Sequence, residues 1–62
     1  MLTPKQAAFV AEYLIDLNAS AAARRAGYSA RTAEWQGPQL LGKTHVADAI
    51  AAAQAERARR TQ

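Results

Sequence analysis

The residues best suited to chemistry lie in the middle of the chain: Arg24, Arg25, Ser29, Arg31, Thr32, Trp35, Gln36 and Lys43. Their types suit a phosphate backbone and base edges. Arg31 can bond guanine O6 and N7 through its planar fork, or a phosphate. Ser29 and Thr32, at a helix start, can hold a phosphate with hydroxyl and backbone N–H groups. Arg24 and Arg25 fall on a preceding helix, where phosphate contact is natural. Lys43 lies past the next helix, within reach of a flanking phosphate. Gln36 and Gln39 carry the amide pattern that reads adenine. Charge follows the same distribution. Between Arg24 and Lys43 stand four basic residues and one acidic residue, Glu34, in a chain of net charge +3. Arg57, Arg59 and Arg60 make a second cluster.

Other chemistry is poorly supplied. No nucleophile–base pair, phosphate loop or metal cluster is visible, so the chain reads as a non-enzyme without a cofactor. There is no Cys, which excludes disulfides and Cys-ligated zinc, and His45 is the single histidine. His45 reads as a polar residue at a helix start. Glu12 and Asp16, one turn apart, have metal-ligand types but read as a solvated face. Tyr28 reads as a core plug, and Arg57, Arg59 and Arg60 as a solvated helix end that complements the dipole. Trp35 admits three readings: a DNA contact, a protein contact, or a cover over a kink at Pro38.

Sixty-two residues make one domain with a marginal core, too small to wall a deep catalytic cleft. No apolar run approaches the ~20 residues of a membrane span. Met1–Lys5 lacks the apolar stretch of a secretion signal. The expectation is a soluble intracellular protein.

The elements that must position these residues are helices. Ala is abundant, and β-branched and aromatic residues are few. The first helix is expected over 4–17. Thr3 is its N-cap, Pro4 its first residue and Gln6 the capping-box partner, with Leu2 half of a staple. Its apolar stripe is Phe9, Val10, Tyr13, Leu14 and Leu17. Asn18 closes this helix in the left-handed region and caps the second, over 19–26. The second helix turns Ala19, Ala22, Ala23 and Ala26 inward. Gly27 supplies a positive φ. Ser29 caps the third helix, over 30–41, with Ala33, Gly37, Leu40 and Leu41 inward. Pro38 removes a backbone donor inside it, so a kink or an early end is expected. Gly42 and Thr44 open a fourth helix over 45–58, with Val46, Ala49, Ile50 and Ala53 inward. The expected architecture is all-α: a compact bundle of about four short helices containing a helix-turn-helix in 1–56, then a basic tail over 57–62. In that motif the third helix enters the major groove and the second crosses the backbone.

The residues Leu2-Thr3-Pro4-Lys5-Gln6, Phe9-Val10, Glu12-Tyr13-Leu14, Asn18-Ala19, Ala22-Ala23, Arg25-Ala-Gly-Tyr-Ser29, Thr32-Ala33, Leu40-Leu41, Val46 and Ile50 resemble the N-terminal domain of bacteriophage terminase small subunits. The resemblance runs from Leu2 to about Glu56. It implies recognition of double-stranded viral DNA for genome packaging, a large-subunit partner, assembly as a homo-oligomeric ring, and a place in the host cytoplasm. It puts DNA contacts on Arg24, Arg25, Ser29, Arg31 and Thr32. It implies that the basic tail leads to an oligomerisation region outside this chain, and that this piece alone is monomeric. The family commonly has a small or polar residue where Pro38 stands. The alternative reading is a protein-interaction module, docking a partner through the Trp35 face and the fourth helix.

Overall fold

Thr3 begins the first helix with reciprocal bonds. Its Oγ1 accepts from the Gln6 N–H at 3.1 Å, and its own N–H donates to Gln6 Oε1 at 3.1 Å. With Pro4 in the first position, the capping box is complete. The computed structural model describes residues 2–61, which form four helices and no strand. They are α1 (Pro4–Asp16), α2 (Ala19–Arg25), α3 (Ala33–Leu41) and α4 (Thr44–Thr61). Helix α2 packs on α1 and α3, and α4 closes over α1 and α3. The expected all-α bundle is therefore present, and its α2–turn–α3 unit is consistent with a helix-turn-helix.

The core is Phe9, Val10, Ala22, Ala23, Ala33, Leu40, Val46 and Ile50, drawn from all four helices. Phe9 and Val46 are the largest fully buried side chains. Tyr13 stacks on Phe9 with ring centroids 5.8 Å apart. The alanines of α2 do what their size allows. Ala22 and Ala23 are buried, and Ala19 and Ala26 partly so.

The start of α2 lies close against Gly37. A Cβ built on Gly37 would lie 2.5 Å from the Ala19 carbonyl oxygen and 2.9 Å from the Ser20 nitrogen. Only glycine leaves this room. Pro38 follows at once, yet α3 continues to Leu41. The expected early end does not occur. Pro38 cannot donate to the Glu34 carbonyl, and the Ser20 hydroxyl donates to that oxygen instead, at 3.4 Å. The Gly37-Pro38 pair thus admits α2 and leaves a carbonyl for it to bond.

Five helix ends differ from the sequence expectation, those of α1 and α2 by one residue, at Asp16 and Arg25. Leu17, not Asn18, takes the left-handed turn, with φ 57°. Asn18 is extended and caps α2 through Oδ1, which accepts from the Ala21 N–H. One residue cannot adopt both backbone conformations, so the task is divided. Leu17 therefore leaves the apolar stripe and is 58% exposed. Helix α3 begins at Ala33 rather than residue 30. The Ser29 hydroxyl accepts from the Arg31 N–H, two residues on, and so closes a local turn instead of capping a helix. Thr32 takes the cap position. Helix α4 includes Thr44, whose expected cap position falls to Lys43: the Lys43 carbonyl accepts the Ala47 N–H. At its far end α4 runs to Thr61, past the expected residue 58.

Candidate nucleic-acid interface

Helix α2 ends in a motif that sets the turn. Gly27 has φ 104°, the Tyr28 N–H donates to the Ala23 carbonyl, and the Gly27 N–H donates to the Arg24 carbonyl. This pair of bonds satisfies carbonyls that a helix end leaves orphaned. It also fixes how residues 28–32 leave α2. Arg24 is exposed just before this turn and Arg31 within it. Neither forms an ion pair among the described residues.

Arg25 has a different position. Its Nε donates to Glu12 Oε1 at 2.6 Å, its Nη2 to the Glu12 carbonyl at 3.0 Å, and its Nη1 and Nη2 to Asp16 at 3.4 and 3.3 Å. The fork is engaged with α1. Asp16 also accepts the Asn18 N–H at 3.1 Å. That backbone bond first, and the Arg25 fork second, hold the Asp16 carboxyl below its usual value of 3.8. The same pairing, with Glu12 first, raises Arg25. Asp16 remains exposed and Glu12 partly so, and they are also the anionic half of a clamp that holds α2 to α1. Arg25, expected to contact the DNA backbone, has its donors engaged by α1 in this structure.

The exposed side of α3 carries the remaining candidates. Trp35 is 54% exposed. Trp35, Gln36, Gln39, Leu40 and Lys43 line an open pocket of about 180 Å³. The structure therefore brings Trp35, Gln36 and Lys43 together, and adds Gln39 and the edge of Leu40. Gln36 is half-buried and tied down, its Nε2 donating to Thr32 Oγ1 at 3.0 Å. Thr32 Oγ1 in turn donates to the Ser29 carbonyl at 3.4 Å. Ser29 and Thr32 thus shape the backbone leading into α3, and Ser29 stays exposed. Gln39 is exposed, and its side chain makes no hydrogen bond among the described residues.

Sequence reasoning missed Lys5. Its ammonium lies 5.3 Å from the centre of the Tyr28 ring, a cation–π distance. A cation from the start of α1 is thereby carried to the turn after α2. Tyr28 is partly buried against the core, as expected, and also serves as this platform. Arg57 was read as a solvated helix end, yet its Nη1 donates to the Leu14 carbonyl at 2.8 Å. It fastens α4 to the end of α1.

The charges sort accordingly. Of the five acidic residues, Glu12 and Asp16 bind Arg25, and Glu56 binds Arg59 and Arg60. Lys5, Arg24, Arg31 and Lys43 are exposed and without ion pairs among the described residues. No described helix is long and apolar enough to cross a membrane.

A family model described as terminase small subunit matches residues 2–62. No curated protein and no solved structure matches the chain.

Proposed function

The chain belongs to the terminase small subunit family, which places it in phage genome packaging, and from that premise we propose that it is the part that grips double-stranded viral DNA. In this reading α3 enters the major groove. Trp35, Gln36 and Gln39 meet base edges, and Arg31, Lys43 and Arg24 meet phosphates. Ser29 and Thr32 hold the approach to α3 and offer hydroxyls to the backbone. Arg25 acts at one remove, by fixing α2 against α1. The observation that supports this best is the pairing of charge. Glu12, Asp16 and Glu56 are paired with Arg25, Arg59 and Arg60, which leaves Lys5, Arg24, Arg31 and Lys43 exposed and unpaired against two unpaired acids, Glu34 and Asp48, among the described residues.

The protein does no chemistry on DNA itself in this proposal. It marks the DNA for a large-subunit partner that carries the catalytic machinery, inside the host cytoplasm. A single domain with only these few phosphate contacts binds weakly. A homo-oligomeric ring of such domains multiplies that weak binding, because each further contact is made at high local concentration.

Anisotropy of a labelled duplex, titrated at several salt concentrations, tests the reading. Three cationic phosphate contacts give a slope of log K against log salt of roughly −2.7. Absence of binding at low salt, with the protein folded, would sink it. A second reading has its own observation. Ile15 and Leu17 are 70% and 58% exposed at the end of α1. Those residues, with the exposed far half of α4, suit contact with another protein rather than with DNA. The two surfaces are compatible in one molecule.

A further inference from the structure

We propose that the pocket beside Trp35 makes this site a reader of A·T pairs, receiving the C5-methyl of thymine between Trp35 and Leu40 while Gln39 bonds the adenine edge. The inference rests on the DNA-binding reading above and specifies what that site selects. The pocket walls are of two kinds. Trp35 and Leu40 are apolar, and Gln36, Gln39 and Lys43 are polar. Among the groups on the major-groove edges of the four bases, the thymine methyl alone is an apolar knob. A shallow apolar notch on an exposed helix face therefore discriminates by accepting that knob.

The polar wall agrees with this choice. The Gln36 Nε2 is already bonded to Thr32, so Gln36 is the fixed side of the pocket. Gln39 is exposed and uncommitted, one turn after Trp35. An amide presents a donor and an acceptor together, which matches adenine N7 and N6 on the same base pair as the methyl. Lys43 at the rim supplies a cation for the adjoining phosphate, so charge favours a nucleic acid over an acidic-poor apolar partner. The Ser29–Thr32–Gln36 chain of bonds holds the first turn of α3 in place, so the notch exists before anything binds.

The test uses short duplexes of alternating d(A-T), d(A-U) and d(I-C), with the whole chain. Uracil lacks only the methyl. The I·C pair keeps the minor-groove edge of A·T but shows the major-groove edge of G·C. Binding to d(A-T) is expected to exceed d(A-U) by about fourfold, the worth of one buried methyl group. Binding to d(I-C) should be weaker still. Trp35→Ala should bring d(A-T) and d(A-U) together, and Gln39→Ala should narrow the gap between d(A-T) and d(I-C). Trp35 is the only tryptophan, so its emission reports the pocket directly in the unaltered protein. It should change more with d(A-T) than with d(A-U). Equal binding to all three duplexes would overturn the proposal and leave the DNA-binding reading intact. So would a thymine–uracil difference that survives Trp35→Ala. Failure of every duplex to bind at low salt would overturn both.

Discussion

At the residue scale, single side chains hold positions that cost or add stability in ways their types explain. Leu17 is the clearest. A non-glycine residue at φ 57° is disfavoured by about 1 kcal/mol or more because Cβ crowds the following carbonyl. Its side chain is mostly exposed, so little packing is at stake. Leu17→Gly is expected to stabilise the protein by roughly 0.5–1 kcal/mol, read as a higher urea midpoint at unchanged slope. Asp16 makes a prediction about pH. Its pKa is lowered in the folded state, by the Asn18 N–H first and Arg25 second. The contribution is therefore present above the ordinary carboxyl value and is lost as pH falls through the lower folded one. Asp16→Asn should flatten this acid limb of the stability curve below about pH 4. A limb unchanged in the variant would show that other carboxyls carry it. The ion pair is exposed, so the effect is small.

At the scale of elements, the questions are which helices are held together and by what. Gly37 is where α2 and α3 meet. In an isolated helix Gly→Ala would help by about 1 kcal/mol. Here the added Cβ would strike the backbone of Ala19 and Ser20, which cannot move without displacing α2. Gly37→Ala is expected to destabilise by about 2–3 kcal/mol, enough to unfold much of so small a domain. Ser20→Ala should cost about 1 kcal/mol, since it removes the bond to the Glu34 carbonyl. The α1–α2 clamp separates structural from binding roles. Arg25→Met should lower the melting temperature and leave the salt slope of DNA binding unchanged. Arg31→Ala should do the reverse, keeping stability and reducing the slope by about one. Thermal melts and salt titrations on the two variants settle the division. A slope that falls with Arg25→Met would return that residue to the DNA backbone.

At the scale of the whole molecule, a small core is assisted by polar fastenings at its edges. The core has two large fully buried side chains, Phe9 and Val46. Phe9→Ala, which typically costs about 3–5 kcal/mol, should leave the chain largely unfolded by circular dichroism. The far half of α4 is another matter. Residues 54–60 are exposed, and among the contacts of that stretch the Arg57 bond reaches back to Leu14. Arg57→Met, which removes the bond to the Leu14 carbonyl and keeps the aliphatic stem, is expected to lower stability by about 1 kcal/mol. A much larger loss, measured by urea unfolding, would mean that the α4 extension is part of the cooperative unit.

Much of the architecture was legible from the sequence because its signals are local. Thr3, Pro4 and Gln6 form a capping box within four residues, and Gly27 meets a backbone requirement that only its neighbours set. The inward faces of α2, α3 and α4 follow from helical spacing, and the side chains named for them are buried or partly so. The family itself was legible from residues spread along nearly the whole chain. What the tertiary structure alone decided concerns groups distant in sequence that compete for the same partner. Arg25 could face phosphate or Glu12, and the approach of α1 to α2 made the choice, because a nearby carboxylate pair satisfies the guanidinium fork. Pro38 could break its helix, yet α3 runs on to Leu41, and the Ser20 hydroxyl reaches the Glu34 carbonyl that proline leaves without a donor. Lys5 gave no sign in the sequence of belonging to the turn, since only folding sets Tyr28 beneath it. The candidate residues around α3 were named from their types. Trp35, Gln39 and Lys43 stand four residues apart, so helical spacing already puts them on one face; that this face is left open as a pocket beside the packed Leu40 was decided by the tertiary structure.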